Sequence, residues 1–227
     1  MNPPKPSRSR RLALAGLTLA LISGCASLLP KPRPLPATFT LDSPAPTAAA
    51  AGAAPRPAAQ PSATAAPTLV VSAPQSAAGY DSAHMLYLRR PHQLEYFAQH
   101  QWVDTPARML APLIVTALER GGAFGAVLRS PVATDADLRL DTEIVRLQQQ
   151  FDTQPSQVRF TLRAHLVDST TRQVLAGREF DASVAAASDD PAGGVVAANA
   201  AVQEVLGQLA RFCAEASAAR PRRPAPR

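Results

Sequence analysis

The sequence predicts a single α+β domain: a mixed, mostly antiparallel sheet with two long helices packed on it. Three observations lead there. Val158 to Asp168 alternates, with Val158, Phe160, Leu162, Ala164 and Leu166 facing one way and Arg159, Thr161, Arg163 and His165 the other. That is a strand with one buried and one wet face, as in an antiparallel sheet. Met109, Leu110, Leu113, Ile114 and Leu118 recur at helical spacing. Val202, Val205, Leu206, Leu209 and Phe212 form a second such stripe behind Asp190-Pro191.

The remaining elements follow in order. Thr38 to Leu41 alternates and reads as a first strand; Thr68 to Val71 is a short β-rich run. His84 to Arg89 and Leu94 to Gln99 read as two further strands, with Arg90-Pro91-His92-Gln93 as the turn between them. Asp104-Thr105-Pro106 opens the first helix, a capping residue followed by proline, and Gly121-Gly122 stops it. Phe124 to Arg129 is a strand, and Leu138, Leu140 and Ile144 share one face of another. Asp168 to Arg172 turns the chain. Phe180, Ala182 and Val184 then alternate with Glu179, Asp181 and Ser183. No internal repeat is present.

The N-terminus has the three parts of an export signal. Lys5, Arg8, Arg10 and Arg11 precede the apolar run Leu12 to Ile22, and small residues lead to a cysteine at position 25. The run is far short of the roughly 20 residues of a spanning helix. Leu21-Ile22-Ser23-Gly24-Cys25 resembles a lipobox, which assigns residues 1–24 to a cleaved signal peptide and Cys25 to lipidation. Several acyl chains on one cysteine hold a protein stably, where a single chain would not. Ala26 and Ser27 follow where an inner-membrane lipoprotein of enteric bacteria tends to carry Asp, so the expected location is the outer membrane, facing the periplasm. Residues 25–36 read as a Pro-rich tether of roughly 35 Å. Pro44 to Pro67 is 24 residues, 18 of them Ala or Pro, and reads as a disordered linker inside a domain spanning 37–218. Residues 219–227 read as a disordered basic tail.

The formal charge of +6 is misleading. The basic residues gather in the signal, tether, linker and tail, and the predicted body has 12 arginines against 17 Asp and Glu. A nucleic-acid partner is therefore not expected. Of the two cysteines, Cys213 has no intramolecular partner once Cys25 is acylated, and it falls on an apolar helix face.

The sequence shows no catalytic motif, and neither cofactor nor metal is expected. There is no His-x-x-x-His, Cys-x-x-Cys, Gly-x-Ser-x-Gly or phosphate-binding glycine loop. His84, His92 and His100 recur every eight residues, a spacing open to metal binding or to unrelated surface positions. Asp189-Asp190 reads as a carboxylate pair or as helix capping. Gly193-Gly194, one turn into a helix, implies a close approach to the backbone, by packing or by a partner. All the Tyr and Trp of the chain lie between Tyr80 and Trp102. Tyr80, Tyr87, Arg89, Arg90, Tyr96 and Trp102, with Phe97, are the candidate partner-binding residues, because Tyr, Trp and Arg dominate interface hot spots. The alternative is that they are core, and strand alternation sends half of them outward in either case.

Several segments together resemble the ABC-type transport auxiliary lipoprotein family. They are Gly79-Tyr80-Asp81-Ser82 with Met85-Leu86-Tyr87; Arg90-Pro91 with Leu94-Glu95-Tyr96-Phe97-Ala98; Trp102 to Leu110; Leu166-Val167-Asp168; and Asp190-Pro191 with Gly193 to Asn199. The resemblance runs from Ala37 to about Ala214, and the Ala/Pro linker departs from it only in length. It implies a non-enzymatic subunit of an envelope-spanning ABC/MCE-type lipid transport system. The implied partners are an MCE-domain protein and inner-membrane transporter components, with a homo-oligomeric ring among the implied assemblies. Neither composition nor periodicity carries that role. A lipoprotein regulator of a cell-wall synthase or of peptidoglycan is the alternative; a periplasmic hydrolase is disfavoured by the missing motifs.

Overall fold

Residues 35–42, 66–133 and 135–220 are described in a computed structural model of the chain. The signal peptide, Cys25, the tether through residue 34, residues 43–65 of the Ala/Pro segment and residues 221–227 lie outside them. Nine strands and two helices follow in order. β1 is Ala37–Phe39, β2 Thr68–Val71, β3 Gln75–Ser76, β4 His84–Arg90, β5 Gln93–Trp102 and α1 Pro106–Gly121. β6 is Ala126–Arg129, β7 Leu138–Gln150, β8 Gln157–Asp168, β9 Val174–Ala185 and α2 Pro191–Ala218.

β7 organises the sheet. One edge pairs along its whole length with β8, which pairs in turn with β9, both antiparallel. The other edge is shared by three short parallel neighbours: β2 beside Leu138 to Leu140, β3 beside Glu143-Ile144 and β4 beside Gln149-Gln150. β4 continues into the antiparallel β4–β5 hairpin, and β1 adds to β5 in parallel. The long ladders are thus antiparallel, as alternation predicts, while parallel pairing fills in the short ones. β3 was not foreseen: two residues carry no period. The second half of β7 was not foreseen either, because it ends Gln148-Gln149-Gln150 rather than in apolar residues.

The second helix is capped by Asp190 as the sequence implies, whereas the N-cap of the first, Thr105, makes no side-chain capping bond and its proline and glycine stop define it. Pro106 fixes the first turn of α1, where its missing N–H costs nothing. Gly122 ends the helix at φ +65°, with its N–H on the Glu119 carbonyl. The stripe Leu110, Leu113, Ile114 and Leu118 is buried. α2 buries Val202, Val205, Leu206, Leu209 and Phe212 against β8 and β9, where Phe160, Leu162 and Phe180 face it. Each such side chain contributes about 1.5–3 kcal/mol when fully buried. The opposite face of the sheet is wet and self-neutralising. Arg163 bridges Glu143 and Glu179 across three strands at 2.8 and 3.0 Å, and Arg159 pairs Asp181 at 3.0 Å.

The chain is pinned at both ends of the body. After β1, Leu41 enters the core. Asp42 N–H donates to Asn199 Oδ1 at 2.7 Å, and Gln203 donates to the Asp42 carbonyl at 2.9 Å. At the far end Arg220, which the sequence reading placed in a disordered tail, is held. Its guanidinium lies 2.6 Å from Asp168, both side chains being largely buried. The apolar periodicity of α2 stops before Arg220, so no pattern announced that this charge would turn back onto β8. Among the described residues no helix is long and apolar enough to cross a membrane.

Candidate interaction surface

The aromatic and arginine residues between Tyr80 and Trp102 occupy the β4–β5 hairpin and the loop before it. The pleat divides them. Trp102 is 4% exposed and belongs to the core, so it is not available as a surface anchor. Tyr87 points the same way: its ring lies against Phe97, centroids 4.5 Å apart, and edge-on to Phe151 at 5.8 Å. Its hydroxyl donates to Glu95 Oε2 at 2.8 Å, and that bond, with burial, raises its pKa above the usual phenol value. Tyr80 is half-buried and donates to Gln148 Oε1; burial raises its pKa against the opposing charge of Arg146. These three residues brace the fold.

Tyr96, Arg89 and Arg90 are exposed. Tyr96 is 56% exposed and stacks on His84, centroids 4.3 Å apart, with Leu94 exposed further along the strand. Arg89 lies over the Tyr87 ring, 5.2 Å from its centroid. Among the described residues Arg89 and Arg90 form no ion pair, and neither do Arg120, Arg129, Arg146, Arg172, Arg178 and Arg211, whereas Arg108, Arg139, Arg159, Arg163 and Arg220 do. Pro91 and His92 make the turn, His92 at φ +66°.

The other candidates resolve into structure. His84 stacks on Tyr96, His100 lies 6.0 Å from the Phe39 ring, and His92 sits at the turn. Among the described residues no group of three or more His, Cys, Asp or Glu is placed to hold a metal ion. Asp190 caps α2, its Oδ1 accepting the Gly193 N–H at 2.7 Å. Asp189 accepts the Ser156 N–H at 2.7 Å. Each of these backbone bonds holds its carboxyl below the usual range, so the two acids are fixed as anions in separate roles. Gly194 faces the carboxamide of Gln149, which explains it by close packing. Cys213 is fully buried and its thiol is pushed up to about 12 by burial, an inert group. Beneath the hairpin, Met85, Phe97, Trp102, Leu147, Val158 and Ala198 line a cavity of about 20 Å³. That is room for a water-sized group, far below the roughly 300 Å³ at which small-molecule pockets begin.

Fold and surface together define a class: an α+β body with no metal-binding cluster among its described residues. Residues 39–210 match the family model of the ABC-type transport auxiliary lipoprotein component, and the chain belongs to that family. It is an accessory lipoprotein component in a family that is not one of enzymes. A crystal structure of a protein from Xanthomonas campestris is similar at TM-score 0.62 and 23% identity, over 68% of this chain and 88% of that one. An uncharacterized protein is similar at TM-score 0.58 and 14% identity, over 79% of this chain and 99% of that one. At these identities the likeness is one of fold. Among curated proteins none matches the chain.

Proposed function

We propose that this chain is the non-enzymatic, lipid-anchored subunit of an envelope-spanning ABC/MCE-type system that moves lipid between the two membranes and so maintains outer-membrane integrity. The observation that carries the reading is the family match over residues 39–210, most of the folded body, together with the lipobox at Leu21 to Cys25. Acylation at Cys25 would hold the body at the periplasmic face of the outer membrane, with an MCE-domain protein and inner-membrane transporter components as partners. The geometry agrees with a contact role. The small cavity under the hairpin is too tight for an acyl chain. The outward half of the aromatic and arginine block, Arg89, Arg90 and Tyr96, is the surface left free for contact.

The test is purification of the lipidated chain from its native membranes in mild detergent. Co-elution with an MCE-domain protein and a transporter supports the proposal. Co-elution with a cell-wall synthase, or retention on peptidoglycan, would replace it with the regulator reading. The mass of the purified assembly tests the ring.

A further inference from the structure

We propose that Ala37 to Asp42 is a detachable strap: it occupies a strand-binding groove between the edge of β5 and α2, and it leaves and re-enters that groove while the rest of the body stays folded. The strap does not depend on the transport role.

The groove is built from two elements. On one side β1 lies parallel to β5, from Ala37 against His100 to Phe39 against Trp102, and the Val103 N–H donates to the Phe39 carbonyl at 2.8 Å. On the other side a single carboxamide reads the backbone of the strap. Asn199 Oδ1 accepts the Asp42 N–H at 2.7 Å, and Asn199 Nδ2 donates to the Thr40 carbonyl at 3.3 Å. In a parallel ladder a neighbouring residue would offer the same acceptor and donor to two positions so spaced, and the α2 side chain stands in for it. Gln203 adds a bond to the Asp42 carbonyl at 2.9 Å. Leu41 is the anchor, 5% exposed, and Phe39 packs partly buried with its ring centroid 6.0 Å from that of His100. The groove therefore takes an extended segment by its backbone and selects an aromatic residue and a leucine two positions apart.

The topology lets the strap go alone. β1 is an edge strand of 3 residues, and among the described residues no strand lies on its other side. It pairs with β5, whereas β2, the next element of the chain, pairs with β6 and β7, and residues 43–65 lie between the two. Leaving the groove thus breaks one short pairing and withdraws one buried anchor, and it moves no other element. The body is held differently, by the β7–β8 ladder from Leu138 to Gln150. Segments with few buried contacts open at lower free energy than the core they lie on. The clamp keeps a partner when the strap is out, since Asn199 Nδ2 also donates to the Val195 carbonyl of its own helix at 3.1 Å. Return is a closure within the chain, whose entropic cost rises only slowly with the length of the link. With the strap out, the β5 edge is bare from His100 to Trp102, and a bare edge accepts an extended segment through backbone bonds.

Two adjacent amides of the full chain, kept in detergent, report on the strap and on the body. The Val103 N–H is held by the strap, at the Phe39 carbonyl, and the Trp102 N–H by the body, at the Ala83 carbonyl, each at 2.8 Å. Hydrogen exchange resolved to single amides should find Val103 and Asp42 exchanging at least about a hundredfold faster than Trp102 relative to their intrinsic rates, with little dependence on low denaturant. Asn199→Ala should speed Val103 about tenfold through its lost hydrogen bonds, and Trp102 by less, because Ala favours α2 whether the strap is in or out. In a Leu41→Ala chain the strap has lost its anchor. A free peptide of residues 36–42 at about 1 mM, the order of concentration that a tether provides, should then slow Val103 again. The same peptide carrying Leu41→Ala should not. The melting temperature of each variant reads folding separately. One shared rate and denaturant slope for Val103, Asp42 and Trp102 overturns the strap, since the segment then opens only with the body. A wild-type peptide without effect overturns the groove as a strand-binding site. Val103 protection that rises with protein concentration places the segment in a second copy and overturns the assignment within one chain.

Discussion

Gly194 lies so close to the side chain of Gln149 that a Cβ on it would stand 2.2 Å from Oε1. The contact joins the first turn of α2 to the end of β7. The Gln149 amide donates to Ser156 Oγ at 2.9 Å and to the Asp190 carbonyl at 3.3 Å, so the carboxamide cannot swing away freely. Gly194→Ala should therefore destabilise the body by about 1–3 kcal/mol, the usual cost of overpacking. On helix propensity alone the same change would stabilise by about 1 kcal/mol. Adding Gln149→Ser to Gly194→Ala should recover part of the loss. Denaturant melts of wild type and these two variants decide it, and a more stable Gly194→Ala single mutant would show that the helix does not seat on Gln149.

That relationship marks where sequence reasoning reached and where it stopped. The alternation of Val158 to Asp168 and the two helical stripes were legible because one period governs a long segment with one wet face. The glycine pair signalled a close approach, yet the approaching group, a buried glutamine, sits in a polar run that reads as solvent-exposed. Tyr96 and Phe97 are neighbours of similar character, and only the pairing of Leu86 with Tyr96 and Tyr87 with Glu95 decides which of them faces outward. The extra residues of β5 between Tyr96 and Gln101, a bulge against β4, leave no mark in composition. Composition alone leaves Trp102 open to surface or core, and the pleat puts it in the core.

The ion pair of Arg220 with Asp168 gives a pH-dependent prediction. The Asp168 carboxyl is held below its usual range first by the Thr171 N–H, against the opposing effect of burial, and then by the charge of Arg220. A carboxyl whose folded pKa is lowered stabilises the fold above its unfolded value, near 3.9, and that contribution is lost as pH falls through the folded value. Arg220→Ala should cost about 1–3 kcal/mol at neutral pH, because it leaves the largely buried Asp168 carboxylate without its countercharge. The gap in melting temperature between wild type and variant should narrow as pH is lowered below about 4. Asp168→Ala should cost more, since the Thr170 and Thr171 N–H groups lose their acceptor too. A gap that does not change with pH would show that the pair is not formed in solution.

Cys25→Ser should abolish lipid attachment, because acylation needs the thiol. Growth with a labelled fatty acid should mark the wild-type chain and leave the variant unmarked. Equal label in both would remove the lipobox reading and, with it, the anchored location proposed for this subunit. The folded body should be untouched, since it begins at the pinned segment Ala37 to Asp42, so the melting temperature of the variant body should match that of wild type.

Trp102 and Tyr96 lie on one strand with opposite expectations, and together they test the division of the hairpin. Trp102 is packed in the core, and large aromatic-to-Ala changes there cost about 3–5 kcal/mol. Trp102→Ala should therefore lower stability sharply, and any loss of complex formation should follow from unfolding. Tyr96 is 56% exposed and its main contact is a stack on His84, so Tyr96→Ala should change stability by no more than about 1 kcal/mol. If the exposed edge of the hairpin is where the domain makes contact, Tyr96→Ala should still weaken that contact, and Arg89→Ala with Arg90→Ala should do the same without moving the melting temperature. The readout is the thermal midpoint and the recovery of the complex on the same preparations. Full recovery with Tyr96→Ala and with the arginine pair removed would mean that the outward face is ordinary solvated surface, and the contact would then have to be sought elsewhere on the body.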